Sequence, residues 1–275
     1  MRINCLGKLI DLSQPKIMGI LNLTQDSFYE GSRVGDLDNL VKRTEKLLNE
    51  GADFIDLGGM STRPGALEIS LEEELNKVIP AIERLVKEFP GILISVDTYR
   101  AKVAKKSIEA GAALINDISA GNLDEDLLKT VGELKVPYIL MHMQGTPQNM
   151  QKDPKYDNVL IEVNQFLSDK IQVLRSFGVN DIILDPGFGL WKSCLEHNYT
   201  LMKQLHLIGM GEFPLLVGIS RKSMVTKLLD ISAQDALNAT SVLHAFALQN
   251  GANILRVHDV KEAQETIRIW EQMQN

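Results

Sequence analysis

The chain has 275 residues, 44% apolar and 24% charged, with 29 basic against 36 acidic side chains and a formal net charge of −7. This is ordinary globular composition, which excludes a disordered chain, and a pI near 5.3 without any long basic tract argues against nucleic acid as a partner. No apolar run reaches the ~18 residues of a membrane span, the start MRINCLGKLIDLS lacks the shape of a signal peptide, and Cys5 and Cys194 suit neither a disulfide framework nor a zinc site, so a soluble cytoplasmic protein acting on small molecules is expected.

Residues 1–16 read as a short N-terminal cap or hairpin, and 17–275 as one domain. Dividing by ~150 residues per domain suggests two domains, but an α/β barrel of about 250 residues is one. Short β-rich apolar runs fall at 17–22, 54–57, 93–97, 113–117, 138–142, 182–185, 215–219 and 254–257. Helical patterns lie between them. From Leu71 the apolar positions Leu75, Val78, Ile79, Ile82, Leu85, Val86 and Phe89 form one stripe, with Ser70 and Glu73 spaced as a capping box. A second stripe runs Val159, Leu160, Val163, Phe166, Leu167, Ile171 and Leu174. Gly51, Gly111, Gly178 and Gly251 each stand between a helical pattern and a strand, where glycine ends a helix in the left-handed conformation. Strand-then-helix units imply a parallel sheet, and eight of them without a linker predict a closed (β/α)8 TIM barrel. An open doubly wound sheet is the alternative; it needs a glycine-rich turn after the first strand, and LNLTQDSF is not one.

In such a barrel chemistry collects at the C-terminal strand ends. Those ends read Asn22, Asp56, Asp97, Asn116 with Asp117, His142, Asp185, Ser220-Arg221-Lys222, and Arg256 with His258. A single Asp or Asn there is most often a turn former. A full rim of ionisable and hydrogen-bonding groups is a site. Asp97, Asn116 and Asp185 offer the acceptors and the amide that grip a flat heterocycle through an amidine or guanidine edge. Lys222 and Arg256 add positive charge, and a guanidinium stacks on aromatic rings. Arg63, Arg256 and His258 together suit a polyanionic leaving group. The loops TQDSFYEGSR and GGMSTRPGA, after the first two strands, have the length and glycines of binding loops or lids. The acidic excess is expected largely on helices such as that of Leu71-Glu72-Glu73-Glu74, leaving Arg63, Arg221, Lys222, Arg256 and His258 to make one locally positive mouth.

MGILNLTQDSF from Met18, DLGGMSTRPGA from Asp56, SVDTYR from Ser95, INDIS from Ile115, LMHMQGTP from Leu140, LDPGFG from Leu184, GISRKS from Gly218 and LRVHDVKE from Leu255 resemble, in order and spacing, the dihydropteroate synthase family of pterin-binding enzymes in folate biosynthesis. The resemblance implies a barrel that joins 6-hydroxymethyl-7,8-dihydropterin pyrophosphate to p-aminobenzoate, giving 7,8-dihydropteroate and pyrophosphate. It implies pterin contacts at Asp97, Asn116, Asp185, Lys222 and Arg256, and catalytic roles for Asp97, Asp185, Lys222 and Arg256. Pyrophosphate falls to Asn22, Arg63, Arg256 and His258, with Asn22 also the Mg²⁺ ligand. The p-aminobenzoate site, shared by sulfonamide analogues, falls to Phe28, Thr62, Pro64, Leu190, Lys222 and Ser223. A homodimer is also implied.

The chemistry fits these residue types. If the pterin CH₂–O bond breaks before attack, an SN1-like course, the enzyme stabilises a ring-delocalised cation with Asp97 and Asp185 and pyrophosphate with Mg²⁺, Arg and His. An arylamine nucleophile is neutral at pH 7 and needs no strong base, and both cysteines are expected to be structural. The chain departs from the family pattern at Gln25, Met60 and Trp191, the last beside Leu190 in the p-aminobenzoate region. Two alternatives compete: a pterin-binding methyltransferase domain serving a corrinoid protein, and an inactive pterin-binding paralogue. SRKS, STRPG and RVHD together argue against the first, and retention of Asn22, Asp97, Arg63 and His258 against the second. Of the histidines, His142 is expected to line the barrel mouth, with His197, His206 and His244 on helices.

Overall fold

The computed structural model describes residues 1–23, 33–59, 69–144, 156–189 and 195–274, with backbone alone for 33–36. Strands β1 (Arg2–Cys5) and β2 (Lys8–Asp11) pair antiparallel through a two-residue turn. Leu6 and Gly7 both have positive φ, 53° and 80°, the conformation whose twist matches a hairpin. The apolar face of this hairpin, Ile3, Cys5 and Ile10, packs with Leu12 onto Met18, Phe54, Leu114, Ile139, Ile183, Leu216 and Ile254 near the N-terminal ends of the barrel strands, and closes the bottom of the molecule.

Eight parallel strands follow: β3 (Lys16–Asn22), β4 (Phe54–Gly58), β5 (Ile94–Asp97), β6 (Leu114–Asp117), β7 (Tyr138–Met141), β8 (Ile182–Asp185), β9 (Leu216–Val217) and β10 (Ile254–Val257). They run in the order β8-β7-β6-β5-β4-β3-β10-β9, and a parallel bridge between Leu184 and Leu215 joins the two ends. Helices α1 (Arg33–Asn49), α2 (Leu71–Glu88), α3 (Ala101–Glu109), α4 (Leu127–Leu134), α5 (Val159–Ser176), α6 (Leu195–Lys203), α7 (Ser223–Leu229), α8 (Leu237–Gln249) and α9 (Val260–Gln274) surround them. This is a (β/α)8 TIM barrel. The inner strands are buried along their whole length because both faces are covered, by side chains inside and helices outside.

Local signals act as their chemistry dictates. Ser70 Oγ accepts from the Glu73 N–H at 3.2 Å while Glu73 Oε2 accepts from the Ser70 N–H at 2.8 Å, a complete capping box. The four junction glycines, Gly51, Gly111, Gly178 and Gly251, have φ between 82° and 108°. One strand is shorter than its pattern suggests. The apolar run 215–219 gives only Leu216–Val217, because the chain leaves the ladder at Gly218 and Lys222 N–H turns back to the Ile219 carbonyl at 3.2 Å.

Candidate active site

Side chains alternate across a strand, so the inward positions of β4, β5, β6 and β10 follow from one another. Phe54 faces the apolar bottom layer, which puts Asp56, two residues on, inside the barrel at mid-height. Asp56 pairs in register with Ser95, and Asp97 with Asn116. Arg256 reaches across from β10, past β3, to donate from Nε to Asp56 Oδ2 at 2.6 Å and from a terminal nitrogen to Asp97 Oδ2 at 3.0 Å. Asp56 also accepts from Ser95 Oγ at 2.5 Å and from Asn116 Nδ2 at 3.2 and 3.4 Å. Four strands are thereby tied by one buried polar layer, with the apolar bottom below it.

Lys222 closes the other side. It follows the turn after β9, and its Nζ donates to the Phe188 carbonyl at 2.7 Å, in the loop after β8. The stem passes over Gly189, whose φ is +71° and where an added Cβ would lie 2.8 Å from Lys222 Cδ. Gly218 lies against both cations; a Cβ there would make ordinary contact, 3.6 Å from Lys222 Nζ and 3.9 Å from Arg256 Cβ. Asp185, at the end of β8, is buried and accepts from Gly187 N–H at 2.7 Å.

The electrostatics bear the mark of a working cavity. Burial pushes the Asp97 carboxyl up to about 7, with Asp56, Asp117 and Glu74 adding to the rise and Arg256 opposing it. Burial pushes the Lys222 ammonium down to about 8, Arg256 in the same direction, with Asp185 and Asp97 opposing. Arg256 loses proton affinity to burial but gains more from Asp56 and Asp97, so its guanidinium stays charged. A carboxyl and an amine both drawn toward neutrality within one cavity is the pattern of a functional site.

Of the residues named from the sequence, Asp97, Asn116, Asp185, Lys222 and Arg256 converge on this cavity. Asn22 ends β3 opposite Gly58, half-buried. His258 is exposed beyond β10, its Nδ1 3.0 Å from Ser220 Oγ, which also accepts the His258 N–H at 3.2 Å. Ser223 opens α7 directly after Lys222. Phe28, Thr62, Arg63, Pro64 and Leu190, with Gln25, Met60 and Trp191, lie outside the described residues.

Two expectations, on Arg221 and His142, are corrected. Arg221 is not free positive charge at the mouth: it donates to both oxygens of Asp259, at 2.8 and 2.9 Å, and to the Ala233 and Gln234 carbonyls at 2.8 Å each. It clamps the loops that carry Lys222 and His258. Glu74 lies on helix α2 as expected, but on its inner face. It is fully buried, accepting from Thr98 Oγ1 at 2.7 Å and Arg100 at 2.8 Å, behind the loop that follows Asp97. His142 sits at the end of β7 but packs edge-on against Phe166 of α5, ring centroids 4.9 Å apart, toward the helix layer. Asp56 was legible as one more strand-end acid; its place as hub of the polar layer was not. The available signal was its register opposite Ser95, itself two residues before Asp97.

Residues 18–258 match the sequence model of the pterin binding enzyme family. The chain is 43% identical to the dihydropteroate synthase of Escherichia coli K12 over 273 residues, covering 98% of this chain and 96% of that protein. Among solved structures it is similar to Yersinia pestis dihydropteroate synthase in a sulfonamide drug complex, with a TM-score of 0.92, 43% identity and coverage of 100% and 99% of the two chains. The dihydropteroate synthase of Xanthomonas albilineans in complex with 7,8-dihydropteroate superposes with a TM-score of 0.87 at 34% identity, covering 100% and 99%.

Proposed function

The chain belongs to the pterin-binding enzyme family, among its dihydropteroate synthases, and on that premise we propose that it is a folate-pathway transferase that condenses 6-hydroxymethyl-7,8-dihydropterin pyrophosphate with p-aminobenzoate. The observation that carries this reading is the buried layer of Asp97, Asn116 and Arg256 facing Asp185 and Lys222 at the C-terminal end of the barrel. Asp185 and Asn116 accept from the N–H groups of the pterin edge, and Lys222 donates to its acceptors. Arg256, its plane held by two carboxylates, offers a flat cationic face to the ring.

The pterin CH₂–O bond breaks with its electron pair leaving on pyrophosphate, and positive charge spreads from the methylene into the electron-rich ring. Asp97 and Asp185 stabilise that cation by electrostatics that are strong in a buried site. The lone pair of the arylamine then forms the C–N bond, and the amine proton is released. His258 at the rim, with Arg256 and the assigned Arg63, takes up the charge of pyrophosphate, while Thr62, Pro64, Phe28, Leu190, Ser223 and Lys222 are assigned to p-aminobenzoate. The residue types fit Mg²⁺, which binds through few protein oxygens and keeps waters and phosphate oxygens; Asn22, at a strand end, would supply one neutral oxygen to it. When bound it neutralises charge on the leaving group.

A homodimer and a cytoplasmic setting belong to the same reading. Leu228 and Leu229 of α7, Val242 and Phe246 of α8, and Ile269 and Met273 of α9 are all half-exposed or more, an apolar surface on three successive helices that a second copy would cover. Sedimentation of the purified chain reads this directly. The Cys5 thiol, pushed up to about 12 by burial and by Asp181, stays unreactive. Among the described residues no helix is long and apolar enough to cross a membrane. The activity is tested by incubating the protein with both substrates and Mg²⁺ and following dihydropteroate by mass spectrometry. Product that requires both substrates is expected; its absence overturns the assignment.

A further inference from the structure

Asp56 is 1% exposed and lies beneath the residues assigned to the pterin, yet it makes three contacts with the site's own machinery. A carboxylate oxygen accepts hydrogen bonds, and Asp56 Oδ2 accepts from Arg256 Nε at 2.6 Å. The Asn116 amide can therefore face Asp56 in one sense alone, with Nδ2 toward the carboxylate, as the distances of 3.2 and 3.4 Å record. Its Oδ1 is delivered to the cavity, where no described residue donates to it. A neutral or donating group at position 56 would leave the amide free to turn and present N–H instead. The same carboxylate takes Nε of Arg256 while Asp97 takes one terminal nitrogen, which fixes the guanidinium plane from two sides. Ser95 Oγ, donating to Asp56 Oδ1 at 2.5 Å, completes the lock from the neighbouring strand.

We propose that Asp56 is the positioning residue that sets the recognition pattern of the pterin pocket, by making Asn116 an obligate hydrogen-bond acceptor toward the ligand and by fixing the plane of Arg256. The inference rests on the pterin reading of the site. It assigns the part of the ligand met by Asn116 as an N–H donor, so a heterocycle with a ring acceptor there is rejected. Asp56 touches no substrate. Its effect passes through two side chains that do.

The test is an exchange of charge and amide between positions 56 and 116. In Asp56→Asn two amides face each other, Asn116 can turn its N–H groups to the ligand, and affinity for 6-hydroxymethyl-7,8-dihydropterin, read by titration calorimetry, is expected to fall on the order of tenfold or more. Asn116→Asp sets two carboxylates against each other and weakens binding similarly. The double variant Asp56→Asn with Asn116→Asp restores one carboxylate and one amide, again presents an acceptor to the ligand, and is expected to bind more tightly than either single variant. A purely structural role predicts no such recovery in affinity at matched melting temperature. Wild-type affinity in Asp56→Asn, or a folded double variant no better than the singles, overturns the proposal. The unmodified protein gives an independent reading: NMR of the Asn116 amide protons with pterin bound must find them directed at Asp56, and protons turned to the ligand overturn it. Failure of the functional reading is separate, because it appears in the wild type as no binding and no product.

Discussion

The path of Lys222 over Gly189 makes the most exacting stability prediction. A methyl placed on Gly189 would stand 2.8 Å from Cδ and 3.1 Å from Cβ of Lys222, at a residue whose φ is +71°. The left-handed conformation costs an L-residue about 1–2 kcal/mol, and the stiffer unfolded chain of the variant returns about 0.4–1 kcal/mol of it. The lysine cannot swing aside freely, since Nζ is anchored on the Phe188 carbonyl at 2.7 Å. Moving the stem off its rotamer costs about 0.5–1.5 kcal/mol, and giving up the charged hydrogen bond costs about 1.5–3 kcal/mol. Gly189→Ala should therefore lose roughly 2–6 kcal/mol, or on the order of 4–24 °C in melting temperature for a domain of this size. Gly178→Ala is the control: its φ is +82° and nothing lies within 4 Å of the added carbon, so it bears the backbone cost alone. Calorimetric melting of both variants, with KM for each substrate, separates the two terms. If Gly189→Ala melts with Gly178→Ala and keeps both KM values, the idea that this glycine exists to let Lys222 pass is wrong.

Three further outcomes follow from buried charge. The Lys222 ammonium, brought from its ordinary 10.5 to about 8, is lost as pH rises through 8, whereas Asp97, raised from 3.8 to about 7, ionises only as pH rises through 7, so kcat/KM for the pterin substrate should be a narrow bell with limbs near those values. Lys222→Arg, which keeps its charge, should move the alkaline limb upward; an unmoved limb assigns it elsewhere. The stability signs also differ. Unfolded lysine holds its proton up to 10.5, so the Lys222 contribution rises between pH 8 and 10.5, while that of Asp97, fully present below 3.8, is lost as pH rises to 7. Denaturant titrations across pH on wild type and Lys222→Met measure the first slope. Glu74→Ala strands Arg100 behind the site and should cost about 3–5 kcal/mol, with much of it recovered in Glu74→Ala combined with Arg100→Met. A shift in the denaturation midpoint worth less than about 1 kcal/mol would refute a structural role for that pair.

The barrel was legible because its signals are local or periodic. Parallel strands covered on both faces read as apolar runs, helices as stripes with a cap at Ser70, and junctions as glycines that alone take positive φ without strain. The rim was legible too, since strand ends fall where the runs stop, and Asn22, Asp97, Asn116, Asp185, Lys222, Arg256 and His258 stand there or directly after. Which of those groups face the cavity, and which are spent on one another, depends on contacts between strands up to 200 residues apart, and no local pattern encodes them. Arg221 and Lys222 are neighbours of the same charge sign. One is consumed by Asp259 and the other reaches the cavity, because a left-handed backbone at Arg221, with φ of 56°, sends the two side chains different ways. Glu74 is legible only as one of three successive helix acids; that it alone is buried, against Thr98 and Arg100, is decided by the docking of α2. The net charge of −7 says little about the site for the same reason: several acids of the total are inside, holding the cations in place. The sequence by itself determined the barrel and the chemical inventory of its rim; the tertiary structure decided how that inventory is partitioned, since partners are chosen by distance across the barrel and distance is a property of the closed fold.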